Sequence, residues 1–299
     1  MQIRGRDYSR HGNHVYIMGI LNLTPDSFSD GGRLKSKDDV LFAVEDMLRA
    51  GVDVVDLGAE STRPGAVLVS KEEETERLLP IIEMIRAEYD VPISVDTYKA
   101  EVMDAAFSAG ADLANDIWGF RYEELHPEDR TGLTMAEVVA KHKKPAVLMH
   151  NDLLARSREE RTEEQWFRSG VSMEGRENVL LRVRQGLSRS LQIADAAGIP
   201  RDRILLDPGI GFAKTGEENQ KCLAELAKLK VEGCDMLLGA SRKSVIGDIL
   251  QVPPLEREEG TIVTSVFAAE AGYSFVRVHD VSGNRKALDF WEKIRSKSL

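Results

Sequence analysis

The stretch RAGVDVVDLGAE (Arg49–Glu60) contains a whole structural transition. Upstream, Val40, Leu41, Val44, Met47 and Leu48 recur at helical spacing over Lys37–Ala50. Gly51 then stops that helix, and the run Val52–Gly58 is short and apolar, the mark of a strand covered on both faces. The strand ends on polar residues. The same succession of helix, glycine and apolar run recurs along the chain. Helices over Lys99–Ala109, Leu191–Ala197 and Thr261–Ala271 end at Gly110, Gly198 and Gly272, each shortly before another apolar run. The eight runs are Val15–Asn22, Val52–Gly58, Pro92–Asp96, Asp112–Ile117, Pro145–His150, Arg203–Gly209, Met236–Ser241 and Ser274–Asp280. Eight strands alternating with helices predict an α/β fold, a (β/α)8 TIM barrel forming one domain over residues 1–299, in preference to a doubly wound sheet.

A barrel of this kind carries its chemistry at the carboxyl ends of its strands. Read there, the chain offers Asn22; Glu60 to Arg63; Asp96; Asn115 and Asp116; His150 and Asn151; Asp207; Ser241 to Lys243; and Arg277, His279 and Asp280. The helix-to-strand connections at the opposite end, such as Ala50-Gly51, are short and bland. The polar ends sort into two chemical sets. Asp96, Asn115, Asp207 and Lys243 suit a flat heterocycle: a carboxylate accepts two N–H bonds from a guanidine-like edge, an amide offers donor and acceptor, and an ammonium donates to a ring oxygen or nitrogen. Arg63, Arg277, His279 and Arg242 suit phosphate oxygens. Taken one at a time, these residues also have plain explanations. Asp96 and Ser241 are good helix caps, an exposed Arg is usually just solvated, and a lone His is usually structural. Their gathering on one face favours the functional reading. Asp46, Asp53 and Asp56 read as structural, Glu72–Glu76 and Glu256–Glu259 as solvated helix faces, and Leu153–Gly170 as a solvated loop entering a helix.

Composition narrows the partners. Among 299 residues, 42% are apolar and 30% charged, with a formal net charge of −10. That balance disfavours general nucleic-acid binding, yet leaves room for an anionic ligand held by local cations. Cys222 and Cys234 have no companions at metal spacing and read as reduced, which points to the cytoplasm. No signal peptide opens the sequence, and no run reaches membrane-spanning length. GIGF (Gly209–Phe212) lacks the third glycine of a dinucleotide fingerprint.

The motifs GILNLTPDSFSDGG (Gly19–Gly32), GAESTRPGA (Gly58–Ala66), SVDTYKAEV (Ser94–Val102), ANDIWGF (Ala114–Phe120), LLDPGIGFAKT (Leu205–Thr215), GASRKSVIG (Gly239–Gly247) and RVHDV (Arg277–Val281) resemble, in order and spacing, bacterial dihydropteroate synthase. The resemblance implies a (β/α)8 transferase of folate biosynthesis. Such enzymes join 6-hydroxymethyl-7,8-dihydropterin pyrophosphate to p-aminobenzoate with the help of Mg²⁺. It implies that Asp96, Asn115, Ile117, Met149, Asp207, Phe212 and Lys243 hold the pterin. Asn22 would ligand the metal and, with Arg63, Arg277 and His279, hold the pyrophosphate. Phe28, Thr62, Pro64, Phe212 and Ser241 would shape the p-aminobenzoate site, Phe28 from a mobile first loop. Arg63, Asp96, Lys243, Arg277 and His279 would form the catalytic set. It further implies competitive inhibition by sulfonamides and a homodimer. Two features depart from the pattern: Ala59 stands where a glycine is usual, and HNDLLARSREE follows Met149 where the family commonly has His-Met-Gln-Gly-x-Pro. A related methyltransferase barrel and a non-catalytic pterin-binding barrel are the competing readings. The intact pyrophosphate set argues against the second.

Overall fold

The computed structural model describes residues 1–9, 12–23, 36–60, 69–151 and 171–297. Eight parallel strands close into a barrel: β1 (Tyr16–Asn22), β2 (Val54–Gly58), β3 (Ile93–Asp96), β4 (Leu113–Asp116), β5 (Ala146–Met149), β6 (Ile204–Asp207), β7 (Asp235–Leu238) and β8 (Phe275–Val278). Each strand pairs with its sequence neighbours, and β8 returns to β1 with Arg277 opposite Met18. The expected barrel is therefore present, with every strand inside its anticipated run except β7, which begins one residue earlier, at Asp235.

Helices cover the outside. They are α1 (Lys37–Arg49), α2 (Lys71–Glu88), α3 (Ala100–Ala109), the short α4 (Tyr122–Leu125), α5 (Met135–His142), the short α6 (Met173–Glu177), α7 (Val179–Ala196), α8 (Gly216–Ala224), α9 (Ser244–Leu250), α10 (Glu258–Glu270) and α11 (Val281–Arg295). Most of their starts carry side-chain caps. Ser36 and Ser70 accept from the backbone of Asp39 and Glu73, and Thr134 and Thr215 form full capping boxes with Glu137 and Glu218. Gly110 ends α3 at φ 114°, a left-handed turn that a side chain rarely adopts. The helix expected to cover Leu191–Ala197 is longer and begins at Val179, because its inward face already starts with buried Val179, Arg182 and Val183. Among the described residues, no helix is long and apolar enough to cross a membrane.

Strand alternation creates two apolar regions. Outward-facing residues such as Val55, Leu57, Ile93, Val95, Leu206, Val276 and Val278 pack against the helices. Inward-facing Met18, Val54, Leu113, Val147, Leu205, Leu237 and Phe275 fill the lower barrel. A hairpin of Gln2–Ile3 paired with Arg6–Asp7 lies below, and Met1, Ile3 and Tyr8 join that inner cluster. Tyr8, Tyr16 and Phe275 stack there with centroids 5.0 to 5.9 Å apart.

Candidate active site

Two residues further along each strand, the next inward side chain comes from the upper barrel. Val54 is followed by Asp56, Leu113 by Asn115, Val147 by Met149, Leu205 by Asp207, and Phe275 by Arg277. The register sets Asp96 beside Asn115 and Met149 beside Asp207. Period-two alternation along parallel strands thus gathers polar groups from several strands at one mouth.

Arg277 is the hub of this layer. Its Nε donates to Asp56 Oδ2 at 2.7 Å, and its Nη2 donates to Asp96 Oδ2 at 2.7 Å. Asn115 Nδ2 donates to both oxygens of Asp56 at 3.3 Å. Asp56 is wholly buried. Asp56, which reads as structural from the sequence, holds one member of each chemical set in place. The overlooked signal was parity: Asp56 lies two residues from inward-facing Val54 on the same strand. Asp96 was a possible helix cap, but α3 is preceded by Lys99, and the Asp96 carboxylate turns inward instead. Its second oxygen, Oδ1, is buried and has no hydrogen-bond partner among the described residues. Leaving a buried carboxylate oxygen unpaired costs about 1–3 kcal/mol or more, so this atom marks where a ligand donor would bind.

Asp207 faces the same space. Its Oδ1 accepts the Gly209 N–H at 2.7 Å, and its backbone carbonyl accepts from His150 N–H at 2.9 Å. Gly209 takes φ 69°, and a Cβ on it would fall 1.9 Å from the His150 carbonyl oxygen, so the turn tolerates no side chain there. Lys243 donates to the Ile210 carbonyl and lies over the Phe212 ring, 4.7 Å from its centroid. Ile117 and Met149 are buried, with Met149 on the inward face of β5.

Ser241 was a second possible helix cap. Its Oγ instead accepts the His279 N–H at 3.2 Å and lies 2.9 Å from His279 Nδ1. That contact links the residue assigned to the second substrate with one assigned to pyrophosphate. Arg242 departs from the phosphate set: Glu258 takes its Nε at 2.9 Å, and Thr261 takes its backbone N–H at 3.0 Å. Asp116 faces outward and shapes its own turn by accepting the Trp118 and Phe120 N–H groups at 2.8 and 2.7 Å. Asn22 is exposed at the end of β1. Its Oδ1 lies 4.0 Å from the position a Cβ on Gly58 would take, and Asp96 borders the same position. Phe28, Thr62, Arg63 and Pro64 lie outside the described residues.

Burial sets the electrostatics. Desolvation raises the Asp96 pKa, and the charge of Asp56 adds to the rise against the pull of Arg277. Asp207 is raised by burial, with Lys243 opposing. Lys243 is pushed down to about 8 by burial, against the attraction of Asp207. Burial lowers the Arg277 pKa, but Asp56 and Asp96 outweigh it and the group stays a cation. Titratable groups shifted together in one cleft are a mark of functional sites.

The sequence pattern of the pterin-binding enzyme family matches residues 18–279. A dihydropteroate synthase of Clostridium beijerinckii is 42% identical over 288 residues, covering 96% of each chain. Among solved structures, a dihydropteroate synthase of Clostridium difficile determined in the presence of pteroic acid superposes with a TM-score of 0.80 at 39% identity, covering 95% of this chain and 97% of that one. The Yersinia pestis enzyme in complex with a sulfonamide drug gives a TM-score of 0.82 at 36% identity, covering 99% of both. This chain belongs to the dihydropteroate synthase family of pterin-binding enzymes, which are transferases.

Proposed function

We propose that this barrel, acting as one pterin-binding domain over residues 1–299, condenses 6-hydroxymethyl-7,8-dihydropterin pyrophosphate with p-aminobenzoate to give 7,8-dihydropteroate and pyrophosphate. The observation that carries this reading is the buried, unpartnered Oδ1 of Asp96 beside a guanidinium already fixed by Asp56. A flat ring entering the mouth donates N–H groups to Asp96 and Asp207. It meets Asn115, and it receives a hydrogen bond from Lys243 while stacking near Phe212. Ile117 and Met149 supply apolar contact. Arg277 has used Nε and Nη2 on carboxylates, and its remaining N–H groups face the pyrophosphate together with His279 and Arg63.

Asn22 fits a metal that keeps most of its waters, because it brings one amide oxygen to the mouth near Asp96. Among the described residues, no group of three His, Cys, Asp or Glu offers an all-protein cage. Asn22 would hold Mg²⁺ there, and the ion would supply charge neutralisation for the leaving group. The exocyclic C–O bond breaks and its electron pair leaves with pyrophosphate, toward Arg277, Arg63 and His279. The cation left behind is delocalised over the pterin. The aniline nitrogen of p-aminobenzoate attacks it and afterwards loses its proton, so no strong base is required. Thr62, Pro64, Phe28 and Ser241 shape that second site.

Supporting relatives have been solved with pteroic acid and with a sulfonamide. Incubating the purified protein with both substrates and Mg²⁺ is expected to yield dihydropteroate, and a sulfonamide is expected to raise the KM for p-aminobenzoate without changing kcat. Absence of product, or inhibition that p-aminobenzoate does not relieve, would sink the reading. The functional unit is a homodimer. Its support is a set of exposed large apolar side chains near the carboxyl-terminal helices, Ile249, Leu255, Phe267 and Phe290, with Leu255 76% and Phe290 70% exposed. Sedimentation is expected to give twice the chain mass, and half that for F267E/F290E; a monomeric parent protein refutes it.

A further inference from the structure

The run Glu72–Glu76 was expected to be solvated, yet Glu74 is almost fully buried. It is one corner of a buried ion cluster on the rim of the mouth. Lys99 stands three residues beyond Asp96, and the exposed fraction of its side chain is 14%, against 7% for Glu60 and 1% for Glu74. The ammonium has three N–H bonds and three acceptors. It donates to Glu60 Oε2, to Glu74 Oε2 at 2.6 Å and to the Val69 carbonyl at 2.8 Å. Its backbone N–H donates to Thr97 Oγ1 at 3.2 Å, which ties it to the residue beside Asp96.

The placement of these acceptors is informative. Glu60 follows β2, Val69 precedes α2, and residues 61–68 connect them. One ammonium therefore grips both ends of a single connection and secures them to α2 through Glu74. An exposed ion pair contributes little. A buried one is different, because removing the cation leaves two carboxylates uncompensated in the interior. Holding Glu60 and Val69 together sets the two points between which residues 61–68 run.

We propose that Lys99 is a positioning residue for the second substrate: by joining Glu60, Val69 and Glu74 it fixes where the connection carrying Thr62, Arg63 and Pro64 leaves and rejoins the barrel, relative to Asp96. The proposal rests on the assignment of Thr62 and Pro64 to p-aminobenzoate. Lys99 touches neither substrate and acts through the ends it holds.

The test compares K99M, K99R and the double variant K99M/E74Q, which removes one stranded charge if K99M alone folds poorly. K99M and K99M/E74Q are expected to raise the KM for p-aminobenzoate by about 10- to 100-fold, since a misplacement of about 1 Å can cost about 10²-fold, with the KM for the pterin substrate nearly unchanged. K99R should recover most of the loss. Backbone hydrogen exchange should rise in the peptide spanning residues 59–70 and stay unchanged in the strands. A purely stabilising role gives the opposite pattern: a lower melting temperature and less active protein, with both KM values at the parent level. That result overturns the proposal, as does unchanged exchange at 59–70. If the parent protein forms no dihydropteroate, the functional reading fails, and the exchange experiment still decides whether Lys99 holds the connection.

Discussion

In the lower barrel, Val54, Leu113, Leu205 and Phe275 touch one another and the hairpin, and all are buried. One pleat higher on the same four strands stand Asp56, Asn115, Asp207 and Arg277, also sheltered but polar. The two layers share strands, twist and burial, and differ in what they leave unfinished. The floor is complete: each buried apolar side chain contributes roughly 1.5–3 kcal/mol. The mouth holds charges that are only partly paired, an arrangement that rarely stabilises a fold against an apolar alternative. Asp96 Oδ1 remains unpartnered there. The barrel is held together at one end and kept receptive at the other.

Substitutions at the two levels should separate these properties. The largest effect is expected at Asp96. D96A removes the orphaned acceptor and should lower kcat/KM for the pterin substrate by about 10³-fold or more, as in sites built to hydrogen-bond their ligand. Pterin binding should vanish in calorimetry while stability stays within about 1 kcal/mol. Undiminished affinity would show that the mouth is not the pterin site. The converse change is F275A, two residues below Arg277. It should cost about 3–5 kcal/mol in denaturant unfolding while the folded fraction keeps its KM values. A large KM change with little loss of stability would mean that the layers are not separable.

The smallest effect is one of pH. Lys243 loses its proton at about 8, where an unfolded chain would hold it to higher pH. Below that pH it is a cation able to donate to the ring, and above it the donor charge is lost. kcat/KM for the pterin substrate should therefore fall on an alkaline limb near pH 8, approaching tenfold per unit, because this parameter reports the free enzyme. K243R should shift the limb upward. The same lowered pKa has a stability consequence: between about 8 and the ordinary lysine value the unfolded chain binds more protons, so this group's contribution favours folding as pH rises. A flat profile in the parent protein would remove Lys243 from the donor role.

Much of this site was legible along the chain because barrel geometry is local in sequence. Asp96, Asn115, Asp207 and Arg277 lie at or near the carboxyl ends of their runs, so strand polarity placed them at one mouth. Asp56 lies equally near the end of its run but reads as structural, and the inward parity of Val54 is what places it with the others. Glu74 sits in a row of five consecutive acidic or polar residues that reads as solvent-facing, and a cation from the following βα turn draws it inside. Arg242 looked like a phosphate ligand until Glu258, sixteen residues on, claimed it.

The amino-acid order by itself determined the eightfold alternation and which end of the barrel is polar. Period-two strands, helix caps and glycine stops depend on neighbours a few residues apart. Pairing between distant charges was decided only in three dimensions. Arg277 chooses Asp56 and Asp96, Lys99 chooses Glu60 and Glu74, and His279 chooses Ser241 because barrel closure brings their strands together. A buried charge must find whichever partner the closed fold places within reach, and sequence separation says nothing of that distance.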